Sequence, residues 1–113
     1  MQERRRVIRR KMDYYFKIYD ANAQQLVGHL SDISARGMLL DSMKPIEVGK
    51  TIQLKIEIIS DALDADFIDF VGRTKWCRMD SITPNVYNVG FEIVNISPKD
   101  AEIFRQFVKI YGS

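Results

Sequence analysis

Long hydrophobic runs are missing: no apolar stretch of the 113-residue chain approaches the ~20 residues that a membrane-spanning helix requires. Nor does a hydrophobic segment of the kind found in secretory leaders follow the basic start. The expectation is a cytoplasmic domain with no membrane span. Cysteine is almost absent as well. Cys77 has no partner in the chain, which excludes a disulfide framework, and beside Trp76 it reads as an ordinary strand residue rather than a reactive thiol. One histidine and one cysteine, without clustered ligand spacing, give no support to a metal centre. His29 stands between Gly28 and Leu30 with Ser31 and Asp32 close by. A catalytic triad does not follow, because adjacent strand residues point to opposite faces and nothing marks an activated nucleophile. No catalytic residue is assigned, and His29 reads as structural. Internal repeats, low-complexity tracts and linkers are also lacking.

Net charge is small, at +2, but it is unevenly distributed. Six of the eight residues from Arg4 to Lys11 are basic, which leaves residues 12–113 with 11 cationic and 14 anionic side chains, about −3. Any cationic function therefore belongs to the N-terminal arm. A basic terminal run is often only a solvated tail or a nonspecific polyanion binder, so other residues must sharpen its meaning.

The length suits one domain: residues 1–11 as a flexible basic arm and 12–113 as a folded unit able to bury most of its apolar side chains. β-Branched and aromatic residues recur over Tyr15–Tyr19 and Gln25–Ile33, around a turn at Asp20-Ala21-Asn22. Met38–Leu40 suits a short third strand, and Lys44-Pro45 and Val48-Gly49 punctuate the loop after it. Thr51–Ile59 then alternates Ile52, Leu54, Ile56 and Ile58 with Gln53, Lys55 and Glu57, the clearest strand pattern in the chain. Acidic and small residues over Ser60–Asp66 suit a turn before a long strand, Phe67–Met79. Polar Asp80–Asn85 separates that strand from a last one, Val86–Ile93.

The C-terminal stretch changes period. Ser97-Pro98-Lys99-Asp100 supplies an N-cap, a proline at the first helical position and an acid at the third. Phe104, Phe107, Val108 and Tyr111 follow at helical spacing, predicting an amphipathic helix over about 98–111. Six short antiparallel strands need closure or cover for their edges. A mainly β fold is expected, a small six-stranded antiparallel barrel with the C-terminal α-helix on its surface or across one mouth.

Two motifs carry the chemistry. The arm reads Glu3-Arg4-Arg5-Arg6-Val7-Ile8-Arg9-Arg10, and after one hairpin comes Asp32-Ile33-Ser34-Ala35-Arg36-Gly37. Together they resemble the PilZ domain signature, Arg-x-x-x-Arg before the first strand and Asp/Asn-x-Ser-x-x-Gly at the end of the second. Arg5/Arg9 and Asp32/Ser34/Gly37 match it. Trp76 late in a long strand, the Gly-Phe-Glu-Ile strand at Gly90–Ile93 and the closing helix are similar to the family's second half, so nearly the whole chain is covered. Arg6/Arg10 also satisfies the arm spacing; Arg5/Arg9 is preferred because Glu-Arg-Arg-Arg-x-x-Arg is the commoner family form. The loop departs from the pattern where Arg36 replaces a small residue and Met38 replaces a second glycine.

The resemblance implies a split-barrel type fold and a bacterial receptor, not an enzyme, that binds cyclic di-GMP without other cofactor. It implies an arm that orders over the barrel on binding, a protein partner of unknown identity, and outputs such as motility, biofilm, surface polysaccharide or virulence. The residue chemistry agrees. Guanine offers O6 and N7 as paired acceptors that a guanidinium meets bidentately, at about 1–3 kcal/mol of discrimination per good pair, and lysine is no substitute. Adjacent arginines can also neutralise the two phosphodiesters. Asp32 can accept the guanine N1–H and amino protons or hold an arm arginine; Ser34 can donate to phosphate or cap the turn. Gly37 supplies a conformation or close approach that a side chain would prevent. Arg4, Arg6, Arg10 and Arg36 are additional candidate contacts. Trp76, if it faces outward, can stack on a purine with Arg78 beside it, and otherwise packs in the core. Two other readings compete: a PilZ-like interaction module that does not bind the nucleotide, and a basic barrel for RNA or single-stranded DNA. The second is disfavoured because the charge is confined to the arm, and no nucleic-acid partner is expected.

Overall fold

Alternation in the sequence becomes the inside and outside of a barrel. The computed structural model describes residues 16–59 and 61–112. Its strands are β1 (Lys17–Asp20), β2 (Gln25–Ile33), β3 (Gly37–Ser42), β4 (Thr51–Glu57), β5 (Phe67–Met79) and β6 (Tyr87–Asn95), followed by helix α1 (Pro98–Tyr111). Arm residues 1–11, the proposed boundary after them, and Tyr15, where the sequence pattern begins the first strand, lie outside the described residues. β1-β2-β3 and β4-β5-β6 are two antiparallel meanders, and the pairs β3–β6 and β1–β4 close them into one barrel. Closure gives every strand a paired neighbour on both sides, which limits the edge open to pairing with other chains. The expected antiparallel six-stranded barrel with a C-terminal helix is what forms.

Strand ends differ from the sequence reading by a few residues. β3 runs on to Ser42 because each of its residues from Gly37 to Ser42 faces a partner on β6, Glu92 through Tyr87. β4 stops at Glu57, although Ile58 remains buried and donates its N–H to the Asp66 carbonyl at 2.8 Å. Inside the barrel lie the alternating apolar residues, with Ile18, Leu30, Leu40, Leu54 and Ile56 fully buried.

Helix α1 closes the end where β1 begins and β2 finishes. Its start is held by Ser97, whose Oγ accepts the Asp100 N–H at 3.1 Å and lies 2.9 Å from Asp100 Oδ2 as donor. Asp100 Oδ1 also accepts the Asp69 N–H of β5 at 3.3 Å, tying the cap to the barrel. Phe107 is fully buried; its ring meets Phe16 edge-on at 4.9 Å, and Tyr111 meets the same two rings at 5.0 and 5.2 Å. The amphipathic face anticipated for the helix is this aromatic plug.

The opposite end carries the β1–β2 hairpin, the β5–β6 turn, and the residue 43–50 connection that crosses from β3 to β4. In the β5–β6 turn, Asp80 Oδ2 accepts the N–H groups of Thr83 at 2.7 Å and Ile82 at 3.0 Å, and Oδ1 accepts the Asn88 amide at 3.0 Å. The Thr83 N–H first, then the Asn88 amide and the Ile82 N–H, hold the Asp80 carboxyl below its ordinary 3.8. A carboxyl depressed in the folded state contributes stability that is present above the unfolded value and lost as pH falls through the folded one. The melting-temperature gap between wild type and Asp80→Asn should therefore be steady above pH 3.8 and close below it. A gap unchanged by acid would show that the ionised form is not what the turn prefers.

Candidate functional site

Strict alternation would place two of the motif residues on the wrong side of the barrel wall. Leu30 points inward, so Asp32 two residues later would do the same. Between them the β2–β3 register slips: Leu30 pairs with Leu40 but Asp32 with Leu39, leaving Ser31 as the extra residue. The bulge turns Asp32 outward and Ile33 into the core, where Ile33 is 1% exposed. The same happens on β5. Thr74 is buried and pairs with Phe91, Trp76 pairs with Gly90, and Lys75 is extruded between them. Trp76 thereby faces outward and Cys77 packs against the core, as an ordinary strand residue.

Following the pairs across the sheet gives one outer row of four residues: Asp32 on β2, Leu39 on β3, Gly90 on β6 and Trp76 on β5. Gly90 lets the indole lie flat across the row, since a Cβ there would sit 2.5 Å from Trp76 Cε2 and Nε1. Arg78, two residues along the same face, holds its guanidinium 4.5 Å from the Trp76 ring centre, a cation–π contact. Trp76 is only half-buried, so the row supplies a stacking surface.

The β2–β3 turn borders this row. Ser34 N–H donates to the Gly37 carbonyl at 2.9 Å, and Ser34 Oγ accepts the Arg36 N–H at 3.4 Å. The hydroxyl therefore caps the turn as an acceptor and keeps its O–H as a donor. Asp32 Oδ1 accepts the N–H of Ile33 at 2.9 Å. Gly37 is required by close approach rather than by unusual backbone angles: a Cβ there would lie 2.2 Å from the Phe91 carbonyl oxygen. Met38, where many PilZ sequences have a second glycine, points into the core at 6% exposure, and Arg36 is exposed at the tip of the turn. Both departures are accommodated without opening the loop.

These residues line an open cleft of about 250 Å³, with Asp32, Ser34, Gly37, Leu39, Trp76 and Gly90 in its walls. Lys75, which the sequence reading missed, lines it too. Its ammonium lies 3.6 Å from Glu92 Oε1, while Arg73 takes Glu92 Oε2 at 3.1 Å. Nothing local to the sequence signals Lys75, because its position depends on the bulge. Arg4, Arg5, Arg6, Arg9 and Arg10 lie outside the described residues. A larger concavity of about 780 Å³ opens at the end opposite α1 and contains none of the motif residues. Among the described residues no group of three or more His, Cys, Asp or Glu side chains could hold a metal ion, and no helix is long and apolar enough to cross a membrane.

Comparison with known proteins agrees with this architecture. No curated protein matches the chain. The solved structure of the Bacillus subtilis inhibitor of motility, MotI/DgrA, is similar in fold, with a TM-score of 0.69 over 90% of this chain at 13% identity. The chain spans 50% of that structure's length. The family model of the PilZ domain matches residues 3–109, which takes in the arginine arm, the Asp32–Gly37 turn, the barrel and most of the helix. The chain belongs to the PilZ domain family, a family of cyclic di-GMP receptors and effectors.

Proposed function

We propose that this domain is a bacterial cyclic di-GMP receptor whose arginine arm closes over the Asp32–Trp76 row when the ligand binds. The observation that carries the reading is the row itself: a carboxylate, a flat aromatic face and a serine-capped turn, all on one outer surface and two of them placed there by bulges. In this reading Arg5 and Arg9 grip the O6/N7 edge of guanine and the phosphodiesters, with Arg4, Arg6, Arg10 and Arg36 adding charge. Asp32 accepts guanine N–H protons or steadies an arm arginine. The Ser34 O–H donates to phosphate, and Trp76 with Arg78 stacks against a purine. Lys75 joins the sequence-derived contacts as a further cation at the cleft. The domain binds its ligand and does not transform it. Ordering the arm costs conformational entropy, offset by charge-assisted hydrogen bonds, and alters the surface offered to a protein partner that controls motility, biofilm or polysaccharide production.

Isothermal titration of cyclic di-GMP into the wild type and into Arg5→Ala/Arg9→Ala, with GMP and single-stranded DNA as controls, tests this directly. Saturable heat is expected for the wild type alone and only with cyclic di-GMP. Absence of heat with folded wild-type protein would overturn the receptor reading in favour of an interaction module that does not bind the nucleotide. Binding of DNA with a steep salt dependence would favour a nucleic-acid barrel.

A further inference from the structure

The 780 Å³ groove opposite α1 takes no part in the site above. It is bounded by the β1–β2 hairpin, the 43–50 crossover and the β5–β6 turn, so three separate segments converge on it. Its margin is unusually apolar. Of nine exposed large hydrophobic residues among the described ones, five lie in or next to these segments: Leu26, Met43, Val48, Met79 and Ile82, with Met43 72% and Ile82 87% exposed. Single exposed apolar side chains need no explanation, but five gathered around one groove mark an interaction surface. Leu26 and Met43 line the groove, whereas Val48, Met79 and Ile82 flank its lining residues in sequence. The apolar area thus extends past the cavity, which suits a macromolecule better than a small ligand.

The floor holds a second signal. Asp41 on β3 faces His29 on β2 and Asn88 on β6, and all three are half-buried on the outer face. Among the described residues no hydrogen-bond donor reaches the Asp41 carboxylate, in contrast to Asp80 with its three donors. Burial first, then the neighbouring Asp80 charge, push the Asp41 carboxyl above its ordinary value, and His29 offsets part of this. Three carboxylates line the groove, Asp41, Glu47 and Asp80, and they repel phosphate, which disfavours a second nucleotide site here. Lys44 and Lys50 on the crossover limit the demand for positive charge to one cation at Asp41.

We propose that this groove docks a partner protein through a segment that places one lysine or arginine at Asp41 and apolar side chains against the Leu26, Met43 and Ile82 rim. An arginine or lysine that reaches a half-buried carboxylate and seals it from water beside apolar side chains is the arrangement in which interface residues contribute most to affinity. No step of this depends on cyclic di-GMP, so the inference stands or falls separately from the nucleotide reading.

A displayed library of random dodecapeptides, selected on the intact chain without nucleotide, is the test. Enriched peptides should converge on a single Lys or Arg between apolar residues. Their affinity should fall about tenfold or more for Ile82→Asp and several-fold for Asp41→Asn, both surface changes that leave circular dichroism unaltered, and should be unaffected by Trp76→Ala. Failure to enrich any motif, or peptides indifferent to both groove variants, would overturn the proposal. So would concentration-dependent self-association in sedimentation that Ile82→Asp abolishes, which would assign the rim to a second copy of the chain.

Discussion

Phe107→Ala should destabilise the domain by about 3–5 kcal/mol, the range for truncating a buried phenylalanine. Small domains have only ~5–15 kcal/mol in total, so the variant should melt far earlier and be partly unfolded at physiological temperature. The reason lies in where the ring sits. Phe107 is fully buried between α1 and the barrel mouth and meets Phe16 at 4.9 Å and Tyr111 at 5.2 Å. Truncation removes the centre of a three-ring plug whose other members come from Phe16, just before β1, and from the helix itself, and neither can move in without leaving its own contacts. Urea denaturation should show a lower midpoint at an unchanged slope, as expected when stability changes but the exposed surface does not. Ile110→Ala, on the exposed face of the same helix, should change stability by no more than about 0.5 kcal/mol. A Phe107→Ala cost near that of Ile110→Ala would mean that the helix is an ornament and not part of the core. The effect bears on the site, because the same end of the barrel carries the Ser34–Gly37 turn.

Gly90→Ala should weaken cyclic di-GMP binding by about 5- to 150-fold while the barrel stays folded, the range corresponding to ~1–3 kcal/mol for one base–aromatic stack. A methyl at that position would meet the indole at 2.5 Å, so the ring must swing off the row and carry Arg78 with it. Trp76 is the sole tryptophan, which makes its emission a direct reporter. Gly90→Ala should shift it to longer wavelength and raise quenching by acrylamide. Gly37→Ala provides the contrast, because its clash at 2.2 Å is with the Phe91 carbonyl oxygen, backbone that cannot swing aside. That variant should lose stability by parting β3 from β6, with affinity falling as a consequence. Unchanged affinity in Gly90→Ala with a displaced indole would remove Trp76 from the binding surface and leave the arm to carry recognition.

Much of the molecule can be read without coordinates. The Thr51–Ile59 alternation predicts its own inside and outside, and Leu54, Ile56 and Ile58 are indeed buried. The Ser97–Asp100 cap predicts the start of α1 to the residue. These signals are local: a period of two or 3.6 and a capping side chain act within a few residues. Asp32, Ser34 and Gly37 stand out through the resemblance to the PilZ signature, taken with the arginine arm, and the structure brings them together on one turn beside Trp76.

Four features needed the tertiary structure. Trp76 had two open orientations, and the bulge at Lys75 decided for the outer face. Ser31 does the same for Asp32, Gly90 lies under the indole, and the 43–50 crossover helps build an apolar-rimmed groove far from the motif. Each depends on which residue of a distant strand stands opposite. A bulge forms where slipping one register turns Ile33 or Cys77 toward the core at the cost of a ladder bond, and that balance is set by the partner strand across the ladder. The sequence by itself determined the strands and the helix, which follow from short-range pattern, and its resemblance to the PilZ signature pointed to the family. Only closure of the barrel decided which side chains share the outer surface, because facing is a property of pairs.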